Sequence, residues 1–172
     1  MDNYSIFYRK VKNLRIEVEK DNVKIIVPLN YTDKIKNLIY KYEKWIKEKR
    51  EKLKEIEDIS KNLILYNYEN LEEIVKKYVE EYSKILKVRP GKVIFRKMKN
   101  RWGSCHFSNK KLIFNKKLKF LPLKLIKYVV LHEMCHLIYK NHKRNFWDLI
   151  KKIEPEYLEK EKLLAGYKLI TP

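Results

Sequence analysis

The segment that most constrains this chain is YVVLHEMCHLIYKNHKRNFW, residues 128–147, because it places titratable side chains inside a largely apolar run. It contains three of the four histidines of the chain, His132, His136 and His142. Apolar residues precede, separate and follow the first two histidines, which is the pattern of a largely buried helix. Burial of a polar side chain without a partner costs on the order of a few kcal/mol. The fold must therefore provide these imidazoles with partners.

Metal binding is the chemistry that this spacing favours. A helix presents residues 132 and 136 on one face, with Glu133 beside that face. Two neutral imidazoles in this H-E-x-x-H arrangement bind Zn²⁺, and the carboxylate deprotonates a water bound to the ion. Five residues separate His136 from His142, enough for the chain to turn back towards the same ion. We predict one Zn²⁺ per chain, held by His132, His136 and His142, with Glu133 as general base.

Two alternatives to this site stay open at the level of sequence. A helix with two histidines is also compatible with a purely structural role. The third ligand also has rivals in three glutamates downstream, Glu154, Glu156 and Glu159. The shorter return of the chain to residue 142 favours the histidine, and Phe146 and Trp147 are expected to pack against the metal-binding helix.

The first part of the chain predicts a β-hairpin followed by a long helix. Apolar and polar residues alternate with period two on both sides of Asp21-Asn22, which is typical of two strands joined by a turn. Thr32 is the predicted N-cap of the long helix. We assign residues 1–60 to this hairpin-and-helix module.

The remaining residues, 61–172, predict the core of one α+β domain that spans the whole chain, 1–172. A second helix begins after Asn70. Two short strands, residues 92–98 and 111–115, come before a third helix, which starts after Pro122 and continues to about Lys140. We expect the strands to form a small, mainly antiparallel sheet beside the helices.

Positive charge is concentrated immediately before the histidine segment. Residues 89–131 contain 13 lysines and arginines and no acidic residue, in a chain whose net charge is +19. Such a surface attracts anions, so we expect an anionic substrate or a nucleic acid as partner. Only seven of the 41 basic residues are arginine, however, and this preference for lysine is equally typical of a compositional bias.

Cellular location is constrained by what the sequence lacks. No apolar run approaches the roughly 20 residues that span a bilayer. The first ten residues have no apolar core of the kind that a signal peptide requires. Two cysteines are too few for a disulfide framework. We therefore expect a cytoplasmic protein without a membrane partner.

Three motifs in order resemble the YgjP-like metal-dependent hydrolases, a family related to the SprT-type and WLM metallopeptidases. They are RWGSC (residues 101–105), IFN (113–115) and the histidine segment itself; RKVKNLRIEV and YEKWIKEK resemble the opening module of that family. The resemblance implies a zincin-like fold, a zinc site formed by the three histidines and a catalytic Glu133. The chain departs from the family pattern at His106, Lys143 and Arg144, where small residues or proline are usual.

The predicted function is a zinc-dependent hydrolase, and a metallopeptidase acting on proteins or peptides is the interpretation we favour. Some members of the family are described as nucleotide pyrophosphatases, so hydrolysis of a nucleoside triphosphate such as UTP is the alternative. A nucleic-acid-associated protein without catalysis is a second alternative, disfavoured by the intact Glu133.

Three residues near the histidine segment are the predicted substrate contacts, Arg101, His106 and Phe114. In zincins an edge strand beside the metal pairs with an extended peptide, and KLIFN (residues 111–115) is the candidate for that strand.

Overall fold

The computed structural model describes residues 3–19, 21–31 and 35–172. The chain separates into two compact units, Met1–Lys61 and Asn62–Pro172. This division falls one residue after the predicted module boundary at residue 60. No helix in the described ranges is long and apolar enough to cross a bilayer.

The first unit is a three-stranded sheet with one long helix. Its elements are β1 (Tyr4–Arg9), β2 (Arg15–Val18), β3 (Val23–Pro28) and α1 (Ile35–Ser60). The strand order is β1-β3-β2; β3 is parallel to β1 and antiparallel to β2, with Val18 opposite Val23. The alternating residues of β3 are fully buried and form a small core with Leu38 and Ile46 of α1. Thr32, the predicted N-cap of α1, lies outside the described residues.

The second unit combines another three-stranded sheet with helices. Its elements, in chain order, are α2 (Leu71–Leu86), β4 (Lys92–Arg96), β5 (Gly103–His106), β6 (Lys111–Asn115), α3 (Leu123–Cys135), α4 (Arg144–Ile153) and α5 (Tyr157–Ile170). Two 3₁₀ segments, Phe107–Asn109 and Lys116–Phe120, flank β6. Within this unit α3 packs against α2, α4, α5 and β5. An apolar helix needs cover on most of its surface, and this position between four elements supplies it.

Both sheets are mixed, which corrects the expectation of a mainly antiparallel sheet. In each sheet, one outer strand runs parallel to the central strand and the other runs antiparallel. The strand order of the second sheet is β4-β6-β5, so KLIFN is the central strand β6 and not an edge strand. The last four residues of β6 are all buried, which is typical of a strand covered on both faces. The two edge strands of this sheet are β4 and β5.

The helix α3 ends earlier than predicted, at Cys135 and not at about Lys140. The amide of Leu137 donates to Met134 O (3.0 Å) and that of Ile138 donates to Cys135 O (3.0 Å). These short-range hydrogen bonds tighten the last turn and redirect the chain. As a consequence, residues 137–143 form a connection that returns towards the end of the helix.

Candidate metal centre

The returning connection brings the three predicted histidines together. His132 lies on the last turn of α3, His136 is the C-cap of α3, and His142 lies in the connection to α4. The Nε2 atom of His142 is 3.0 Å from Nε2 of His132 and 3.1 Å from Nε2 of His136. Among the residues that the structure describes, these three form a group whose ligand atoms all lie within 4.8 Å of one another. The predicted convergence of residue 142 on the helix histidines is thus present.

Hydrogen-bond partners outside the cluster orient two of the rings. Nδ1 of His136 lies 2.9 Å from the carbonyl oxygen of Tyr139, an acceptor, so the proton is on Nδ1 and the Nε2 lone pair faces the other histidines. Nδ1 of His132 lies 3.8 Å from Oε1 of Glu161 on α5. That oxygen also accepts a 2.6 Å hydrogen bond from the hydroxyl of Tyr128. Carboxylate and carbonyl partners of this kind fix the orientation of metal-binding imidazoles.

Two aromatic residues of α4 support the histidines, as predicted. Phe146 is fully buried and stacks on His136, with ring centroids 4.5 Å apart. Trp147 stacks on His142, with ring centroids 5.5 Å apart, and also on Tyr157, with centroids 5.3 Å apart. The imidazole of residue 142 is therefore held by an aromatic surface although it lies in a connection between helices.

Burial keeps two of the imidazoles, His132 and His136, in the form that binds metal ions. Burial, with smaller contributions from His136 and His142, lowers the pKa of His132 to about 3. Burial also lowers the pKa of His136. A low pKa means a neutral ring, and the neutral ring has the lone pair that a metal requires.

Glu133 is a buried carboxyl group beside the histidines. It is 6% exposed, and burial raises its pKa to about 8, while the guanidinium of Arg101 acts in the opposite direction. Its Oε2 atom has no hydrogen-bond partner among the described residues. An unpaired buried carboxyl oxygen beside three converging imidazoles is a set of groups that suits a divalent cation. Three nitrogen ligands with an open position are the arrangement found in catalytic zinc sites, so the residues present fit Zn²⁺.

Gly103 leaves the space that Glu133 occupies, a role that the sequence did not reveal. A Cβ atom at residue 103 would lie 2.6 Å from Cγ and 2.7 Å from Oε1 of Glu133. Only glycine allows the first residue of β5 to approach the carboxylate this closely. The motif RWGSC was the available signal, but it does not identify what the glycine contacts.

Asn115, the last residue of IFN, was also missed as a supporting residue. Its buried side chain makes four hydrogen bonds, all to the backbone. Its Nδ2 donates to Met98 O (2.8 Å) and Arg101 O (2.7 Å), and its Oδ1 accepts from the amides of Met98 (3.2 Å) and Lys117 (3.1 Å). Asn115 thereby fixes the loop 97–102, which leads into β5.

The histidines open into a cavity of about 580 Å³. Arg101 lies at this cavity, together with β5 residues Ser104 and Cys105. Burial, with a smaller contribution from Glu133, raises the pKa of the Cys105 thiol to about 11, which disfavours the thiolate that a metal would need.

Two of the three predicted substrate contacts lie elsewhere. His106 is exposed at the end of β5, paired opposite Lys111, and does not line the cavity. Phe114 is fully buried in the core of the second unit because β6 is the central strand. The structure therefore places neither residue at the cavity where substrate contact was predicted.

The glutamates considered as alternative ligands do not join the cluster. The described group of potential ligands contains His132, His136 and His142 and none of the three glutamates. Glu154 instead pairs with Lys160. Glu161, which was not among these candidates, lines the metal cavity and lies 3.8 Å from Nδ1 of His132 through its Oε1 atom.

Comparison with known proteins gives one family and two solved structures. The model of a family described as YgjP-like, metallopeptidase domain, matches residues 54–167. The metallopeptidase zymogen abylysin of Pyrococcus abyssi is 26% identical, over 51% of this chain and 87% of that chain, with a TM-score of 0.46. The metallopeptidase zymogen jannalysin of Methanocaldococcus jannaschii is 25% identical, over 55% of this chain and 92% of that chain, with a TM-score of 0.43. No curated protein matches the chain. The matched family segment includes all three histidines of the cluster, Glu133, Gly103 and Asn115.

Proposed function

This chain belongs to the YgjP-like metallopeptidase family, and on that premise we propose that it is a zinc-dependent peptidase with Glu133 as general base. The observation that carries the proposal is the convergence of three imidazole Nε2 atoms beside the buried carboxyl group of Glu133, whose Oε2 has no hydrogen-bond partner among the described residues. His132, His136 and His142 would hold the ion.

A zinc ion held there would act as a Lewis acid that acidifies water and polarises a carbonyl group. Glu133 accepts the proton of the attacking water and transfers it to the departing amine. Burial raises the pKa of Glu133, and the carboxyl group would ionise more readily beside a cation held by the histidines, because an opposite charge favours the ionised form. The side chain is then a base at neutral pH.

The strand β5 is the surface on which we place the substrate. It is one of the two edge strands of its sheet, and three of its residues line the metal cavity, whereas no residue of the other edge strand, β4, does so. An extended peptide binds an edge strand through main-chain hydrogen bonds, whatever its side chains are. The central strand β6 has neighbours on both sides and offers no such edge. A free edge at the metal supports a peptide over a small nucleotide as the substrate.

Hydrolysis of a nucleoside triphosphate is the second candidate, and one observation favours it. Exposed cations, including Arg101, stand at the same cavity and would attract phosphate.

Metal content and activity test the proposal with matched variants. Elemental analysis should find one zinc ion per chain, and His136→Ala should lose most of it. The exposed His106 is the control: His106→Ala should retain both zinc and activity. Glu133→Gln should retain zinc while cleavage of an unfolded protein disappears, because only the base is lost. Zinc retained after loss of both helix histidines, or full activity in Glu133→Gln, would refute the site.

The choice of substrate is tested on the same zinc-loaded protein. Unfolded protein and nucleoside triphosphates are supplied separately, and Glu133→Gln is the blank for each. We expect cleavage of the protein alone. Hydrolysis of UTP that depends on Glu133, without cleavage of any protein, would refute the peptidase and support nucleotide hydrolysis at this site.

A further inference from the structure

A second recess, of about 350 Å³, lies next to the metal cavity. It is formed by the loop after β4 and by the start of β5. Four of its lining residues are cations, Arg96, Lys97, Lys99 and Arg101, and none is acidic. Arg101 and Ser104 line both the recess and the metal cavity, so the two spaces are neighbours.

The cations of this recess are available for a ligand. All four are exposed, and none has an ion-pair partner within residues 3–19, 21–31 and 35–172. Elsewhere in the acid-free segment 89–131, Arg89 and Lys127 pair with glutamates of α2. Carboxylates of α2 therefore neutralise part of the segment 89–131, but no carboxylate in the described residues pairs with the cations of this recess.

The loop that carries these cations is held in place by the buried side chain of Asn115 on β6. Asn115 binds the backbone of Met98 and Arg101, the residues on either side of the Lys99-Asn100 pair. Ordering of a flexible loop is a cost that binding usually has to meet. A loop already fixed by buried hydrogen bonds presents its charges at lower cost. The recess is thus a pre-organised group of positive charges and not a set of lysines on a free surface.

We propose that this recess binds a carboxylate of the peptide substrate, so that the enzyme prefers peptides with an acidic group close to the cleaved bond. The proposal rests on the peptidase function proposed above. A peptide paired with β5 passes along Ser104, which borders both spaces. Successive residues of an extended chain advance about 3.3 Å, so a side chain a few residues from the metal reaches the recess. The carboxylate comes from Asp, from Glu or from the C terminus of the peptide.

Binding to the inactive protein tests the recess without relying on cleavage. Zinc-loaded Glu133→Gln is titrated into labelled peptides that differ only by Asp or Asn near the middle, each with a free or an amidated C terminus. We expect the acidic peptides to bind ~10-fold more tightly at low salt, and this preference to shrink as salt is added. The two pairs of peptides separate a side-chain carboxylate from a terminal one.

Charge-reversal variants then locate the effect. Lys97→Glu/Lys99→Glu, made in the same background, should abolish the preference for acid over amide. Lys116→Glu/Lys124→Glu changes the net charge equally at two exposed residues outside the recess and should keep most of the preference. Zinc content and circular dichroism confirm that both variants fold.

Each failure has a different meaning. Equal binding of acid and amide peptides, or equal loss of preference in both double variants, would overturn the recess as a carboxylate site. UTP that displaces every peptide equally and is hydrolysed by the wild-type protein would also overturn it, in favour of phosphate. Cleavage of neutral and acidic peptides at the same rate would refute the recess and leave the peptidase. Selective binding of acidic peptides by a protein that cleaves none would refute the peptidase and leave the recess.

Discussion

Gly103→Ala tests whether the position of the Glu133 carboxylate, and not only its presence, is needed for activity. The new methyl carbon would lie 2.6 Å from Cγ, 2.7 Å from Oε1 and 2.9 Å from Cδ of Glu133. Carbon atoms in contact are normally about 3.5–4.0 Å apart, so the overlap with Cγ is roughly 1 Å. The backbone of residue 103 has no positive φ angle that would strain an alanine. The clash therefore falls on the glutamate side chain.

The glutamate resolves the clash by moving its carboxylate by about 1 Å. Misplacement of that size in a catalytic group lowers the rate by about 100-fold, and general base catalysis as a whole contributes about 100- to 10,000-fold. We expect kcat for an unfolded protein substrate to fall ~100-fold or more. Zinc content should stay at the wild-type level, because the three atoms nearest to the new methyl group all belong to Glu133 and none to a histidine.

The assay pairs single-turnover cleavage with zinc analysis and thermal unfolding. Gly91→Ala is the matched control, since a methyl group there would meet Asn109 O at 3.1 Å and lies outside the metal cavity. It should retain wild-type activity. Wild-type activity in Gly103→Ala would refute the reasoning, because it would show that the carboxylate can move without loss of catalysis. Loss of zinc in proportion to loss of activity would show that the glycine supports the fold of the metal site and not the base.

Three further predictions concern residues around the site. Asn115→Asp replaces two amide donors by acceptors that face Met98 O and Arg101 O, so the free energy of unfolding in urea should fall by about 2–4 kcal/mol. The exposed Asn109→Asp is the control and should cost ~0.5 kcal/mol or less, and equal effects would contradict the buried network. Glu161→Gln should weaken zinc binding about 10-fold in competition with a chelator, because the carboxylate near His132 is lost, and an unchanged affinity would exclude its orienting role. In metal-free protein, burial places the pKa of Glu133 above its unfolded value, so its contribution to stability is present below about pH 4.5 and is lost as the pH rises through about 8. The free energy of unfolding in urea of Glu133→Gln, relative to that of the wild type, should therefore rise between pH 5.5 and pH 8.5, and a constant difference would refute the raised pKa.

The histidine cluster was predictable because the chemistry of its first two members is local. Helical spacing alone places residues 132 and 136 on one face, and any fold that keeps the helix keeps that relation. The third member depended on where the helix ends. The prediction that His142 returns to the cluster is confirmed although the predicted helix end at Lys140 was wrong, because the tight hydrogen bonds after Cys135 begin the return earlier.

Strand position was not predictable, and this accounts for the two misplaced substrate contacts. Apolar patterning identifies KLIFN as a strand, but it cannot decide whether that strand is central or at an edge, since strand order depends on the whole sheet. With β6 in the centre, Phe114 belongs to the core, and the edge at the metal passes to β5. The sequence GSCH of β5 has little of the β-branched or aromatic character by which strands are identified.

The motifs RWGSC and IFN, which seven residues separate in the sequence, are joined by hydrogen bonds in the fold. The amide of Asn115 donates to Trp102 O (2.9 Å), and its side chain holds Arg101 O and both backbone groups of Met98. These bonds fix the point at which β5 begins, and β5 begins with the glycine that accommodates Glu133. A single buried side chain on the central strand thus sets the position of the loop that carries Arg101, of the edge strand and of the space around the base. This explains why the Glu133 carboxylate has a defined position although its Oε2 has no hydrogen-bond partner in the part of the chain that the structure describes: the strand that Asn115 fixes confines it.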